Sequence, residues 1–118
     1  MTPLLVALGA AVGAPLRLLV TRVAGRDGRD PAPGTLVVNV VGSVVLGVLL
    51  GLADVPAAVL ALVGGGFCGA LTTFSTFGVD AVRLRTEGTS GRSLAYVATT
   101  LVLGIGAAAA GYLVAGAL

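Results

Sequence analysis

Between Val55 and Val79 the chain carries no charged residue, and within that run lies Gly64 to Gly78, GGGFCGALTTFSTFG. An uncharged apolar run of this length exceeds the roughly 20 residues that cross a bilayer as a helix. It does not read as an unbroken helix. Gly64, Gly65, Gly66 and Gly69 crowd together, and Thr72, Thr73, Ser75 and Thr76 follow. All three phenylalanines of the chain, Phe67, Phe74 and Phe77, fall in the same stretch. Glycine loosens a helix, and hydroxyls re-satisfy backbone groups freed at a break. Irregular backbone at membrane depth is tolerated only where protein buries it or a wet cavity is lined by it. The stretch is expected to form a broken transmembrane helix, which offers backbone dipoles to an ion.

The rest of the composition agrees with a membrane setting. Of 118 residues, 57% are hydrophobic and 10% charged, where soluble domains carry about 25% charged residues. The mean hydropathy is +1.09. These values predict an all-α integral membrane protein. Seven arginines against four Asp and one Glu leave a net charge of +2, too small a surplus to argue for nucleic acid. There is no histidine and only Cys68, so neither an internal disulfide nor a His/Cys metal cluster is expected. Cys68, among small residues, reads as a small buried hydrophobe. With no histidine as a base and the acids near helix ends and loops, the chain is not expected to be an enzyme. The apolar N-terminus lacks a basic flank, so a cleaved signal peptide is not expected.

Four apolar spans are predicted, at about 3–23, 34–53, 56–82 and 93–117, forming one membrane domain over residues 1–118. Each is long enough to cross, and four crossings put both termini on one side. Small residues recur at four-residue spacing. Gly9 and Gly13 lead to Arg17 in the first span; Ser43, Gly47 and Gly51 follow Asn39 in the second; Thr100, Gly104 and Ala108 separate Tyr96 from Tyr112 in the fourth. Residues four apart share a helix face, and small ones let membrane helices approach closely. Packing within one bundle explains most of these glycines. A stripe in every helix also suggests a second copy or partner, and a dimer is expected.

A few polar residues carry the chemistry. Asn39 is the only Asn, and there is no Gln. It either hydrogen-bonds another helix or faces a pore, where its NH2 donates to an anion. Arg17 either snorkels to the interface or draws anions into a vestibule. Phe74 and Phe77 stand three apart, and aromatic rings present a positive edge to a small anion. The acid nearest the middle of a span is Asp80, at the end of the third. That argues against a proton-coupled transporter and against a cation channel ringed by carboxylates.

Nearly the whole chain resembles the Fluc (CrcB) fluoride-channel family. The resemblance rests on Gly13-Ala14-x-x-Arg17, on Gly34-Thr35-Leu36-x-x-Asn39-x-x-Gly42-Ser43, and above all on Gly66-Phe67-Cys68-Gly69-x-x-Thr72-Thr73-Phe74-Ser75-Thr76-Phe77. Glu87-Gly88 and Tyr96 also fit. The resemblance implies an antiparallel, dual-topology dimer of two four-helix subunits, with fluoride pathways along their interface. It implies a structural Na+, not transported, on backbone carbonyls of Gly69 and Thr72 from each subunit. It implies a pathway past Asn39, Phe74 and Phe77 and a hydroxyl track of Ser75, Thr76, Tyr96 and Thr100. Gly104, Gly78, Asp80 and Val44 depart from the pattern, which has a hydroxyl, Ser, Glu and an aromatic at those places.

The expected function is a fluoride-selective channel in the cell membrane, among lipid, through which fluoride leaves the cytoplasm passively. The competing reading, a small four-helix multidrug or cation exchanger, calls for a carboxylate in the first span, and 3–23 has none. Arg22, Arg26, Arg29, Arg83, Arg85 and Arg92 all lie in or beside the first and third connections. Positive residues in short loops stay cytoplasmic, so this chain alone should insert mainly one way. An antiparallel dimer then favours a partner subunit of the same fold with the reverse bias, a heterodimer, over a homodimer.

Overall fold

The computed structural model describes residues 1–118 as an all-helical bundle. Helix α1 spans Thr2–Ala24, with Pro3 in its first turn, where a missing N–H costs nothing. Gly25 ends it, and one 3-10 turn over Arg26–Gly28 reverses the chain. Asp27 (φ 58°) and Gly28 (φ 77°) sit in the left-handed region that this reversal needs. Helix α2 spans Ala32–Gly51. It begins two residues ahead of the expected span, because Asp30 Oδ1 accepts the Ala32 N–H at 3.0 Å and so caps the start.

A second tight turn, with Asp54 at φ 58°, leads into the third span. This span is composite. Helix α3 covers Ala57–Val59, a π-helical segment covers Leu60–Cys68, and helix α4 covers Gly69–Leu71. The glycine run therefore stays helical, wound into the wider π spacing, which is rare and recurs at functional sites. The ladder stops farther on. Thr72 (φ −80°, ψ 155°) and Thr73 (φ −149°, ψ 123°) are extended, and helix α5 resumes over Phe74–Glu87. Only Gly88 and Thr89 separate α5 from helix α6, Ser90–Gly116, whose start is capped by Thr89 Oγ1 accepting the Arg92 N–H at 3.1 Å. The third connection is thus far shorter than the 83–92 loop left between the expected spans.

Four helical stretches are long and apolar enough to cross a membrane. The molecule measures 46 × 29 × 19 Å, and its long dimension matches a bilayer of about 40–45 Å with headgroups. Only 17 of 118 residues are buried, so most apolar side chains point outward. Val102, Ile105 and Leu113 on α6 are each more than half exposed, which in water would be an aggregation surface and in lipid is the solvated one.

The glycine stripes are spent inside the chain. A Cβ at Gly47 would meet the backbone of Ala108, and one at Gly51 the backbone of Tyr112. Likewise Gly9 and Gly66 bring α1 against the π segment, where a Cβ on either would strike the other's backbone or its neighbour's. The stripes therefore account for α1 on the third span and α2 on α6. They do not by themselves require a second copy. Gly106, by contrast, has open space around it.

Because Gly47 meets main chain rather than a movable side chain, Gly47→Ala should destabilise by about 1–3 kcal/mol, the usual cost of overpacking. Gly106→Ala should be neutral or gain up to about 1 kcal/mol from helix propensity. Thermal unfolding of both variants in detergent checks the contrast; equal midpoints would remove the close-approach account.

Candidate functional site

The site forms where the third span is interrupted, and one side chain closes the interruption. Thr73 donates its N–H to Asn39 Oδ1 at 2.8 Å, and Asn39 Nδ2 donates to the Thr73 carbonyl at 3.1 Å. The amide thus pairs with an extended residue as a neighbouring strand would. The backbone dictates its orientation, since Thr73 N–H needs an acceptor and Thr73 C=O a donor. Of the two roles open to Asn39 from sequence, the bond to another helix is made. The second N–H of the amide makes no bond within the chain, and Asn39 lines the groove described below.

The hydroxyls around the break are mostly committed. Thr73 Oγ1 accepts the Thr76 N–H at 3.2 Å, capping α5, and donates to Thr76 Oγ1 at 3.1 Å. Thr72 Oγ1 donates to the Cys68 carbonyl at 2.8 Å, and Ser43 Oγ donates to the Asn39 carbonyl at 2.7 Å. Thr100 Oγ1 alone is buried with no partner. Among the amide and hydroxyl groups that line the groove described next, the donors left over for a ligand are therefore the second Asn39 N–H and the Thr100 hydroxyl.

A groove of about 360 Å³ brings together Asn39, Gly42, Ser43, Gly69, Thr72, Phe74, Phe77 and Thr100. No Asp, Glu or Arg lines it. Phe77 stands between two other rings, 5.9 Å from Phe74 and 5.4 Å from Tyr96, both tilted. Tilted pairs leave ring edges free to face other groups. Phe74 is 84% exposed, and the exposed Gly69 lies on the same open side.

The remaining candidates lie elsewhere. Arg17 and Thr76 line a second cavity of about 500 Å³ with Thr21. An Arg17 guanidinium N–H reaches the Thr72 carbonyl at 3.5 Å, the outer limit of a hydrogen bond. Ser75 faces outward on α5, beside Gly78 and Val79. Tyr96 borders a third space near Asp30 and Leu84, and touches the groove only through its ring against Phe77. The structure does not join the four hydroxyls Ser75, Thr76, Tyr96 and Thr100 into one lining.

The break leaves the carbonyls of Gly69, Ala70, Leu71 and Thr72 without helical donors. The Gly69 oxygen would receive the Thr73 N–H, which goes to Asn39, and the Thr72 oxygen would receive the Thr76 N–H, which goes to Thr73 Oγ1. Carbonyl oxygens released in this way suit a hard cation, so the residues present fit a Na+ of the kind the resemblance implies. Of the four, the resemblance points to the oxygens of Gly69 and Thr72, and the Arg17 guanidinium is already at that of Thr72.

Sequence reasoning passed over Thr73 and the surroundings of Asp80. Asp80 is 4% exposed. Its Oδ2 accepts the Thr35 hydroxyl at 2.8 Å and the Tyr96 hydroxyl at 3.4 Å, and Arg83 lies 3.6 Å from Oδ1. Arg83 also pairs with Asp30, which Arg92 approaches at 3.8 Å. Burial pushes the Asp30 carboxyl up, but the Ala32 N–H and the guanidinium groups of Arg83 and Arg92 outweigh it and hold it below the usual carboxylate range. The Thr73-x-x-Thr76 spacing, a hydroxyl cap ahead of a helix, is a signal that finds Thr73. No local signal marks Asp80 as buried, because its partner Thr35 is 45 residues away.

Residues 4–112 match the family described as CrcB-like protein, Camphor Resistance (CrcB). The chain is 48% identical over 104 residues to a fluoride-specific ion channel FluC 1 of Nocardia farcinica, covering 87% of this chain and 72% of that one. It is 45% identical over 112 residues to FluC 1 of Thermobifida fusca, covering 94% and 92%. A FluC of Vibrio cholerae is 43% identical over 112 residues, covering 91% and 89%.

The Asn39 clamp has a direct test. Asn39→Ala leaves both polar groups of Thr73 unpaired, at about 1–3 kcal/mol each, and should lower the unfolding midpoint in detergent. Asn39→Asp keeps an acceptor for the N–H but sets oxygen against the carbonyl, and should also lower it. An unchanged midpoint for Asn39→Ala would show that the clamp carries no weight.

Proposed function

We infer that this chain, which belongs to the CrcB-like family, is a fluoride-selective ion channel that lets fluoride leave the cytoplasm passively. The observation that carries this reading is the neutral groove at the break. It gathers an amide, an unpartnered hydroxyl and two phenyl rings around one space with no carboxylate or guanidinium in its lining. Such a lining suits a small, hard anion that accepts strong hydrogen bonds. It offers no carboxylate to bind a cationic drug or to couple flux to protons. The relatives' names place fluoride first among anions, and the four-helix exchanger reading is not favoured. The protein is a multi-pass membrane protein, and the cell membrane is the setting where such an exit path protects a cytoplasm.

The assembled channel is proposed to be an antiparallel pair of four-helix subunits. What supports a pair is the open side of the break, where Phe74 is exposed, Gly69 is uncovered and Gly78 has open space around it. In the pair, Gly69 and Thr72 carbonyls of both subunits would hold a Na+. Such an ion supplies fixed positive charge that stabilises the released carbonyl dipoles, and it is not transported. The Arg17 guanidinium would withdraw from Thr72 in that state. Fluoride would pass Asn39, Phe74, Phe77 and Thr100. Ser75, Thr76 and Tyr96 join the path only if the partner's surface extends it, and Arg17 would draw anions to its mouth. Six of the seven arginines lie at one end, which favours a heterodimer with a partner of reverse bias.

Liposomes holding the purified channel should release fluoride rapidly and chloride barely at all. Phe77→Ile should cut fluoride release roughly tenfold or more, equivalent to about 1.4 kcal/mol on the barrier, without loss of assembly. Comparable chloride release would overturn the fluoride reading, and normal flux in Phe77→Ile the ring-edge account.

Orientation is tested by Gly91→Cys in a Cys68→Ala background, a position with only Thr89 Oγ1 near. Labelling of the chain expressed alone should come from the cytoplasmic side. Equal labelling from both sides, together with fluoride flux from this chain alone, would establish a homodimer instead.

A further inference from the structure

The slot between the end of α1 and the start of α2 belongs to neither cavity at the break. Leu19, Val20, Val23, Pro33 and Val37 line about 400 Å³ there, and no polar side chain contributes to its wall. Leu19 is 59% exposed and Val37 50%, so the slot is open along the outer face of the bundle. It runs up to the arginine-rich end of the molecule.

The charges at that end are unevenly matched. Asp27 lies 3.9 Å from Arg29, and Asp30 is held by Arg83 and Arg92. Arg22, in the last turn of α1, and Arg26, just beyond it, are exposed and make no ion pair. Arg22 stands three residues on from Leu19 along α1, and Arg26 opens the turn that follows the helix, so two guanidinium groups without a counter-charge lie at the end of the span that borders the slot, where lipid headgroups lie.

We propose that this slot seats an acyl chain of an anionic phospholipid whose phosphate is held by Arg22 and Arg26. The slot alone would take a chain from any lipid. The unmatched arginines select among headgroups, since basic residues at a membrane surface attract anionic lipid and guanidinium binds phosphate in a two-pronged fashion. Such a lipid supplies the counter-charge that Arg22 and Arg26 lack within the chain.

The test is native mass spectrometry of the purified protein in neutral detergent, supplied with phosphatidylglycerol or phosphatidylcholine of identical chains. Phosphatidylglycerol should bind about tenfold or more tighter, and this preference should vanish in Arg22→Gln/Arg26→Gln. Val37→Trp, which fills the slot, should weaken both lipids. Chainless glycerophosphate should bind far more weakly than phosphatidylglycerol. Equal binding of the two lipids by the unaltered chain would overturn the proposal, whatever the variants do. So would a preference that survives loss of both arginines, or glycerophosphate matching the full lipid.

Discussion

The paired hydrogen bonds between the Asn39 side chain and the Thr73 backbone hold the centre of this molecule together. Lipid offers nothing to an unpaired peptide group, so a chain that leaves the helix at membrane depth has to satisfy that group from within. One amide does so for both polar groups of one residue. That frees the Thr73 hydroxyl to cap α5, and the capped α5 in turn fixes Phe74 and Phe77 relative to the groove. The carbonyls of Gly69 and Thr72 are released by the same event. Ion-facing backbone, helix start and aromatic placement therefore follow from a single contact between α2 and the break.

Around that contact the bundle relies on close backbone approach rather than bulky interdigitation. Gly47, Gly51 and Gly111 bring α2 and α6 together, and Gly9, Gly13 and Gly66 bring α1 onto the π segment. This is how membrane helices gain packing contacts where apolar burial gives no advantage over lipid. It leaves little volume inside the subunit, so the groove opens on the subunit's side instead of along its axis.

Much of this is legible in the sequence, for physical reasons that differ by element. The four spans are, because a bilayer demands long apolar runs and short polar turns. The Thr/Phe string announces a special third span, since propensity alone gives no reason to crowd Gly, Thr and Phe there. Asn39 is legible as important, but its two possible roles are separable only once Thr73 is seen opposite. The glycine run misleads on detail. It loosens the ladder to π spacing without breaking it, and the break falls where two extended threonines find outside partners. The stripes mislead in a second way, because four-residue spacing says that a helix approaches something closely without saying what. The Asp80 cluster is invisible locally: a carboxylate at the end of a span looks solvated until Thr35 and Tyr96 are placed beside it.

The chain of contacts from Asp80 through Arg83 and Asp30 to Arg92 joins the ends of α2, α5 and α6 at one face of the membrane. No ion pair ties the opposite face, where both termini and the Asp54 turn lie. Mechanically the subunit is riveted by charge at one end and seamed, backbone on backbone, at the other, where Gly51 lies against Tyr112 and Gly66 against Val6.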